Sequence, residues 1–267
     1  MEEKFQHKKS LGQHFLNSAY VPKKMCDAAR LTVGETVLEI GPGTGALTKE
    51  LLERGVTVIA LEADSRAIER LTVTFSKEIA SGQLIIHHHD VRTLIPETFG
   101  LTAGKYKVVA NIPYYLSGFL FRTLLEAAHP PNTLVFLVQK EVARRIAKEK
   151  KESLLSISVK IFGTPSYICT VGRNHFTPPP AVDSAIVAIY DISHRHFTDI
   201  SIPAFFELLH LGFGQKRKQL LSNLSKVYAR PALEQIFSAI SLSPQIRAED
   251  VPLPAWLQLA KALQSTE

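Results

Sequence analysis

The sequence predicts an α/β fold: a Rossmann-like open sheet with helices on both faces, followed by a small all-α domain. Three observations carry this. Short apolar runs alternate with helical stretches from about residue 35 to 150, the pattern of parallel strands joined by crossover helices. A glycine-dense turn, 41-GPGTG-45, follows the first of those runs directly. From about Pro203 the strand pattern is gone and helical periodicity continues.

In order along the chain, residues 1–16 are basic and run into LGQHFL. Asn17 to about Arg30 reads as a helix, with Asn17 or Ser18 as its N-cap. ETVLEI is a buried strand, and ALTKELLERG a helix stopped at Gly55. VTVIALEA is the second strand, followed by a helix capped by Asp64. QLIIHHHD and KYKVVANI are two more strands, and LSGFLFRTLLEAA is the helix after Pro113. TLVFLVQ and the charged helix KEVARRIAKEK close the alternation. SYICTV and SAIVAIYDI read as strands around the loop HFTPPPAVD. The polar stretch SHRHFTD marks the boundary, giving a ligand-binding domain over 1–195 and a helical domain over 196–267.

The 267 residues are 45% hydrophobic, enough for a substantial core. A formal charge of +6 suits a polyanionic partner such as nucleic acid. Cys26 and Cys169 show neither metal-ligand spacing nor a disulfide framework, which fits a reducing cytoplasm. No apolar run has the length of a membrane span or a signal core, so a soluble cytoplasmic protein is expected; a monomer is expected as well.

Gly41, Gly43 and Gly45 alternate, unlike the G-x-G-x-x-G fingerprint of NAD enzymes. Glu39, just before the turn, repels a pyrophosphate and can hold a cation. S-adenosylmethionine carries two cationic groups, a sulfonium and an α-amine, so it is the expected cofactor. Glu62 ends the second strand, where it can accept the hydroxyls of a ribose. Asp90 ends the third, where it can accept an adenine amine. Ligands of open α/β sheets bind at these strand ends. The triplet His87-His88-His89 alternates faces on a strand, so no metal is expected there.

The fourth strand runs into 111-NIPYY-115. An amide reads a planar polar group and a tyrosine stacks on a planar ring, so this tip suits a nucleobase. Here the sequence resembles the small-subunit rRNA adenine dimethyltransferases, the bacterial KsgA group. The likeness runs along nearly the whole chain, through KKSLGQHFL, VLEIGPGTGALT, NIPY, VQKEVARRI, FTPPPAVDSA and FGQKRKQLLSNL. It implies a class I methyltransferase fold using S-adenosylmethionine. It also implies that two adjacent adenines in a hairpin loop near the 3′ end of small-subunit rRNA are each methylated twice, in a pre-ribosomal particle. The family's cofactor contacts fall on His14, Leu16, Gly41, Glu62, Asp90 and Asn111. His14 and Tyr115 stand where the family usually has Asn, and Ala181 replaces a usual Lys.

In that setting Asn111 and the carbonyl of Ile112 accept the two hydrogens of the target amine, and Pro113 fixes that carbonyl. Tyr114 stacks on the base, with Phe176 on its other side. Lys216, Arg217 and Lys218, placed near a helix start, oppose the helix dipole and read as phosphate contacts. Lys140, Arg144 and Lys148 form one helical stripe beside Arg145, and Lys8 and Lys9 form a third cluster. Alternatives are a non-catalytic ribosome-assembly factor, a large-subunit rRNA methyltransferase of the macrolide-resistance type, and an NAD-linked oxidoreductase.

Overall fold

The computed structural model describes residues 14–264; the expected phosphate contacts Lys8 and Lys9 lie outside them. The chain divides into two units, one of residues 1–143 and 165–192, the other of residues 144–164 and 193–267. The first begins with β1 (Phe15–Leu16) and α1 (Tyr20–Ala29). Alternation follows as β2 (Thr36–Ile40), α2 (Ala46–Glu53), β3 (Thr57–Glu62), α3 (Ser65–Thr74), α4 (Ser76–Ala80) and β4 (Leu84–His88). It continues with β5 (Tyr106–Asn111), α5 (Ser117–Leu125) and β6 (Thr133–Gln139). The short helices α6 (Lys140–Ala147) and α7 (Leu154–Lys160) precede β7 (Thr164–Val171), β8 (Phe176–Thr177) and β9 (Ser184–Tyr190).

Seven strands form one sheet in the order β4-β3-β2-β5-β6-β9-β7. The strands β2 to β6 pair in parallel, as the alternation predicts. β9 runs antiparallel to β6, so the sheet is mixed rather than wholly parallel. No crossover helix precedes β9, which returns from the Pro-rich loop instead. Alternate residues feed two cores. Val37, Val58 and Val109 pack with Met25 of α1 and Leu47 of α2 on one face. On the other, Phe136 of β6 meets Phe121 of α5 at 5.2 Å. Strand order reverses at β2, between β3 and β5, which opens a crevice at the strand ends.

The first helix starts later than the sequence suggests. Its N-cap is Ala19, with no side-chain bond. Asn17 instead donates to the carbonyl of Asn174 at 3.1 Å, and the Ser18 hydroxyl meets His175 at 3.0 Å. Tertiary partners outcompete the cap. Asp64, by contrast, caps α3 as predicted, accepting from the amide of Arg66 at 3.1 Å.

The second unit holds α7 with α8 (Ile202–Phe213), α9 (Leu220–Leu224), α10 (Arg230–Ala239) and α11 (Leu253–Gln264). Residues 144–164 group here, not with the ligand-binding domain over 1–195. Ser153 starts α7 with a capping box, and Phe162 just beyond it packs against Phe197 and Phe206, so the apolar side of this stretch is spent on the helical core. A side chain at Gly212 would collide with Trp256 at 2.4 Å, so α8 and α11 touch through a glycine. The helix expected to start near Lys216 begins only at Leu220 and ends at Leu224. Lys216, Arg217 and Lys218 lie in an exposed turn just ahead of α9, whose N-cap is Gln219. Asn223 fixes that turn, donating to the carbonyls of Gly212 at 2.6 Å and Gln215 at 3.3 Å.

Candidate active site

A cavity of ≈250 Å³ opens where β2, β3, β4 and β5 end. Among its walls are His14, Gly41, Gly43, Glu62, Asp90 and the run Asn111–Leu116. Most of the predicted site residues therefore converge.

The glycine turn has three left-handed residues, Gly41 (φ +67°), Gly43 (φ +56°) and Gly45 (φ +84°). They do different things. Nothing lies within 4 Å of where a side chain on Gly41 would start, so the backbone is bare to a ligand there. A side chain at Gly43 would meet Phe15 at 2.8 Å. Gly45 is not in the wall; its missing side chain makes room for Phe75 and Leu71, at 2.7 and 2.9 Å.

Glu62 is buried and well held. Its Oε2 accepts from the amide of Gly43 at 3.1 Å, and its Oε1 from those of Ala63 and Asp64 at 2.9 Å each. A carboxylate has about four acceptor sites, so one remains, on Oε2. That is one fewer than two ribose hydroxyls would use directly.

Asp90 accepts from the amide of Arg92 at 2.9 Å and caps a short 3₁₀ turn. The Arg92 guanidinium also grips it, with Nη2 at 2.5 Å from Oδ2. That charge-assisted contact pulls the carboxyl down to about 2.

Glu39 stands apart. It is 1% exposed, does not line the cavity, and shares its sheet face with Val37, toward α1 and α2. Burial pushes its carboxyl up to about 8, so it is protonated at neutral pH. Its Oε2 has no hydrogen-bond partner. A neutral acid turned away from the cavity does not hold a cation there.

At the tip of β5, the Nδ2 of Asn111 donates to the backbone carbonyl of His14 at 3.1 Å. A carbonyl only accepts, so the amide orientation is fixed. Its Oδ1 is the atom left for a ligand. His14 is anchored in turn, its Nδ1 donating to the carbonyl of Pro178 at 2.8 Å. Tyr114 stacks on the His14 ring at 5.8 Å, and its hydroxyl meets Ser184 at 2.5 Å. Burial raises the Tyr114 phenol, so the ring stays neutral. Ile112 and Pro113 line the same wall.

Besides Glu39 and Gly45, two predicted residues lie elsewhere. Leu16 is buried in β1, whose partner strand is β8. Phe176, expected as the second face of a base clamp, is 2% exposed and belongs to the core beneath the sheet. Strand pairing with Leu16 turns it inward. The three histidines separate as strand geometry requires: His87 and His89 both meet the edge of Phe99 at 5.0 Å, and His88 reaches the carbonyl of Ala63 at 3.1 Å.

Sequence reasoning missed four residues here. Phe15 fills the space above Gly43, Arg92 holds Asp90, Ser184 holds Tyr114, and Tyr115 lines the cavity. Ser184 sits inside the quoted FTPPPAVDSA motif, but only the fold puts it 2.5 Å from Tyr114.

Of the expected phosphate contacts, Arg144, Arg145, Lys148, Lys216, Arg217 and Lys218 are exposed and Lys140 is half-buried. Lys140 starts α6 and lies 3.8 Å from Asp183. Arg144 and Arg145 are on α6, and Lys148 lies past its end. The predicted stripe therefore has only two of its members on the helix.

The ribosomal RNA adenine dimethylase family matches residues 4–265. A ribosomal RNA small subunit methyltransferase A from Dehalococcoides mccartyi is 41% identical over 255 residues, covering 94% of this chain and 87% of that protein. Its counterpart from Geobacillus thermodenitrificans is 34% identical, covering 97% and 92%. Among solved structures, a dimethyladenosine transferase from Plasmodium falciparum aligns with a TM-score of 0.79 at 25% identity, over 94% of this chain and 98% of that one. The 23S rRNA methyltransferase ErmE shares the fold, with a TM-score of 0.72 at 23% identity over 94% and 99% of the two chains. The match along almost the whole sequence and the converged strand ends agree: this chain belongs to the ribosomal RNA adenine dimethylase family.

Proposed function

We propose that this protein dimethylates the exocyclic amines of two adjacent adenines in small-subunit rRNA, in the cytoplasm, on a pre-ribosomal particle, and that it acts as a monomer. The observation that carries this is the fixed amide of Asn111, a residue that lines the cavity: with Nδ2 committed to His14, Oδ1 is left as its acceptor.

S-adenosylmethionine supplies the methyl group as an electrophilic sulfonium. Gly41, with its bare backbone, is where the cofactor approaches the sheet. Glu62 offers its remaining acceptor site to one ribose hydroxyl, and a bridging water serves the other. Asp90 accepts the cofactor's adenine amine once Arg92 yields one of its oxygens. His14, just ahead of β1, lines the same cavity.

The target amine is a weak nucleophile because its lone pair is delocalised into the ring. Asn111 Oδ1 and the Ile112 carbonyl each hold one of its hydrogens, which favours a pyramidal nitrogen with its lone pair directed across the cavity. The backbone of Pro113, with no N–H and fixed φ, holds that carbonyl still. Tyr114 stacks on the base, its position set by Ser184. Orientation of this kind replaces a strong base in lowering the barrier. Lys140, Arg144, Arg145, Lys148, Lys216, Arg217 and Lys218 contact RNA phosphates, each adding to the salt dependence of binding.

The test is incubation with labelled S-adenosylmethionine and either unmethylated small subunits or protein-free large-subunit rRNA. Label in small-subunit dimethyladenine is expected. Label confined to large-subunit RNA rules the reading out. Asn111→Ala is expected to slow single-turnover methylation by about 10²-fold or more while changing cofactor affinity little, as loss of a positioned acceptor does.

A further inference from the structure

Tyr115 is a second tyrosine with no part in the scheme above. It lines the same cavity as Tyr114, yet it is 66% exposed. Its neighbour is fastened inward by Ser184 and His14, whereas Tyr115 stands at the mouth. The turn that carries it is rigid. The amide of Leu116 donates to Pro113 at 2.9 Å, and the Ser117 hydroxyl to the carbonyl of Tyr114 at 2.8 Å. Four residues on, Phe119 is a further outward aromatic, 40% exposed. Arg92 lines the cavity too, and its guanidinium is within electrostatic reach of the Tyr115 phenol.

A polynucleotide that delivers one base into a cavity leaves its covalent neighbours at the rim. Those neighbours have lost a stacking partner and carry phosphates. A rigid exposed ring offers the lost stacking partner, and a guanidinium in the same wall offers the phosphates a counter-charge. We propose that Tyr115, with Arg92 in the same cavity wall, is the stacking platform for the nucleotide next to the methylated adenine. This rests on the reading that the target adenine enters this cavity. Stacking uses the ring face, so the phenol hydroxyl is dispensable and base identity matters little. Tyr115 thereby sets how firmly the flipped conformation is held, not how the cofactor binds.

The experiment compares wild type with Tyr115→Ala, Tyr115→Phe and Tyr115→Trp in single-turnover methylation of unmethylated small subunits. Reconstituted subunits with an abasic residue on either side of one target adenine, scored for methylation of that adenine alone because one such neighbour is the second target, test the same contact without altering the protein. Tyr115→Ala is expected to lower kcat/KM about 10- to 100-fold, the range of one lost base–aromatic stack. Phe and Trp variants should stay within about threefold, with cofactor affinity unchanged. On one of the two abasic substrates the gap between wild type and Tyr115→Ala should close. The proposal is overturned if Tyr115→Ala matches wild type, if Tyr115→Phe is equally impaired, if the gap persists on both abasic substrates, or if cofactor affinity falls in parallel. Asn111→Ala, run alongside, separates the two readings. Full activity of Asn111→Ala would remove the cavity reading itself. Its loss beside an unaffected Tyr115→Ala would remove only the platform.

Discussion

Glu39 and Glu62 lie on neighbouring parallel strands and on the same face of the sheet. Glu39 pairs with Ala60, and Glu62 is two residues further along that strand. That single pleat repeat decides their chemistry. Glu62 is the last residue of β3, one beyond the end of its pairing with β2, where the glycine turn and the start of the next helix present three backbone N–H groups to it. Glu39 is still inside, under α1 and α2, with an unpartnered Oε2. One is a carboxylate built into a ligand wall. The other is a neutral acid in the core. An acidic residue near a glycine turn is therefore no guide to a ligand unless its donors are known.

The largest effect should come from Glu62→Gln. The amide keeps one acceptor oxygen and turns an NH₂ toward backbone N–H groups that had an acceptor. Losing hydrogen bonds to a charged group costs about 1.5–3 kcal/mol, with a further cost for the donors left unsatisfied. Cofactor affinity is expected to fall about 100-fold by calorimetry, and the fold to lose about 1–3 kcal/mol. An affinity within threefold of wild type would mean that Glu62 only braces the turn.

Glu39→Gln should do the opposite. The native acid keeps its proton up to about pH 8, while the unfolded chain releases it near the ordinary value of 4.5. Between those values the unfolded state binds fewer protons, so stability falls as pH rises and levels off above about 8. Glutamine removes that slope. The variant is expected to be more stable than wild type by on the order of 2 kcal/mol at pH 7, with almost no gain at pH 4.5. Urea titrations at pH 4.5, 6 and 8 check this, and parallel curves for the two proteins would contradict a buried, protonated Glu39.

The same contrast explains what could be read from the chain alone. Strand and helix order was legible because apolar period and turn chemistry are local, and Asp64 was recognisable as a cap for that reason. The strand ends Glu62, Asp90 and Asn111 were legible because a parallel sheet collects its carboxyl ends at one edge. What failed depended on partners far away in sequence. Asn17 and Ser18 look like caps until Asn174 and His175 arrive. Phe176 looks like a clamp until its pairing with Leu16 turns it into the core. Glu39 looks like a ligand because burial depth differs by two residues between adjacent strands. The antiparallel β9 and the grouping of 144–164 with the C-terminal helices are likewise outcomes of packing, which no local pattern announces.

Asp90 gives the smallest and most discriminating test. Like Glu62 it ends a strand and accepts a backbone amide, but its remaining acceptor capacity is taken by an exposed side chain instead of by the turn. Backbone donors cannot leave, whereas Arg92 can rotate away. A ligand amine reaching Asp90 competes with that guanidinium, so the pair taxes cofactor binding. Exposed ion pairs are weak, so the tax is small. Arg92→Gln should raise cofactor affinity about two- to threefold, and the gain should vanish at high salt, where the wild-type pair is already screened. Isothermal titration at about 0.05 and 0.5 M salt measures both. A fall in affinity would instead make Arg92 a direct cofactor contact, and Asp90 would then owe its low pKa to an ion pair that the bound ligand keeps.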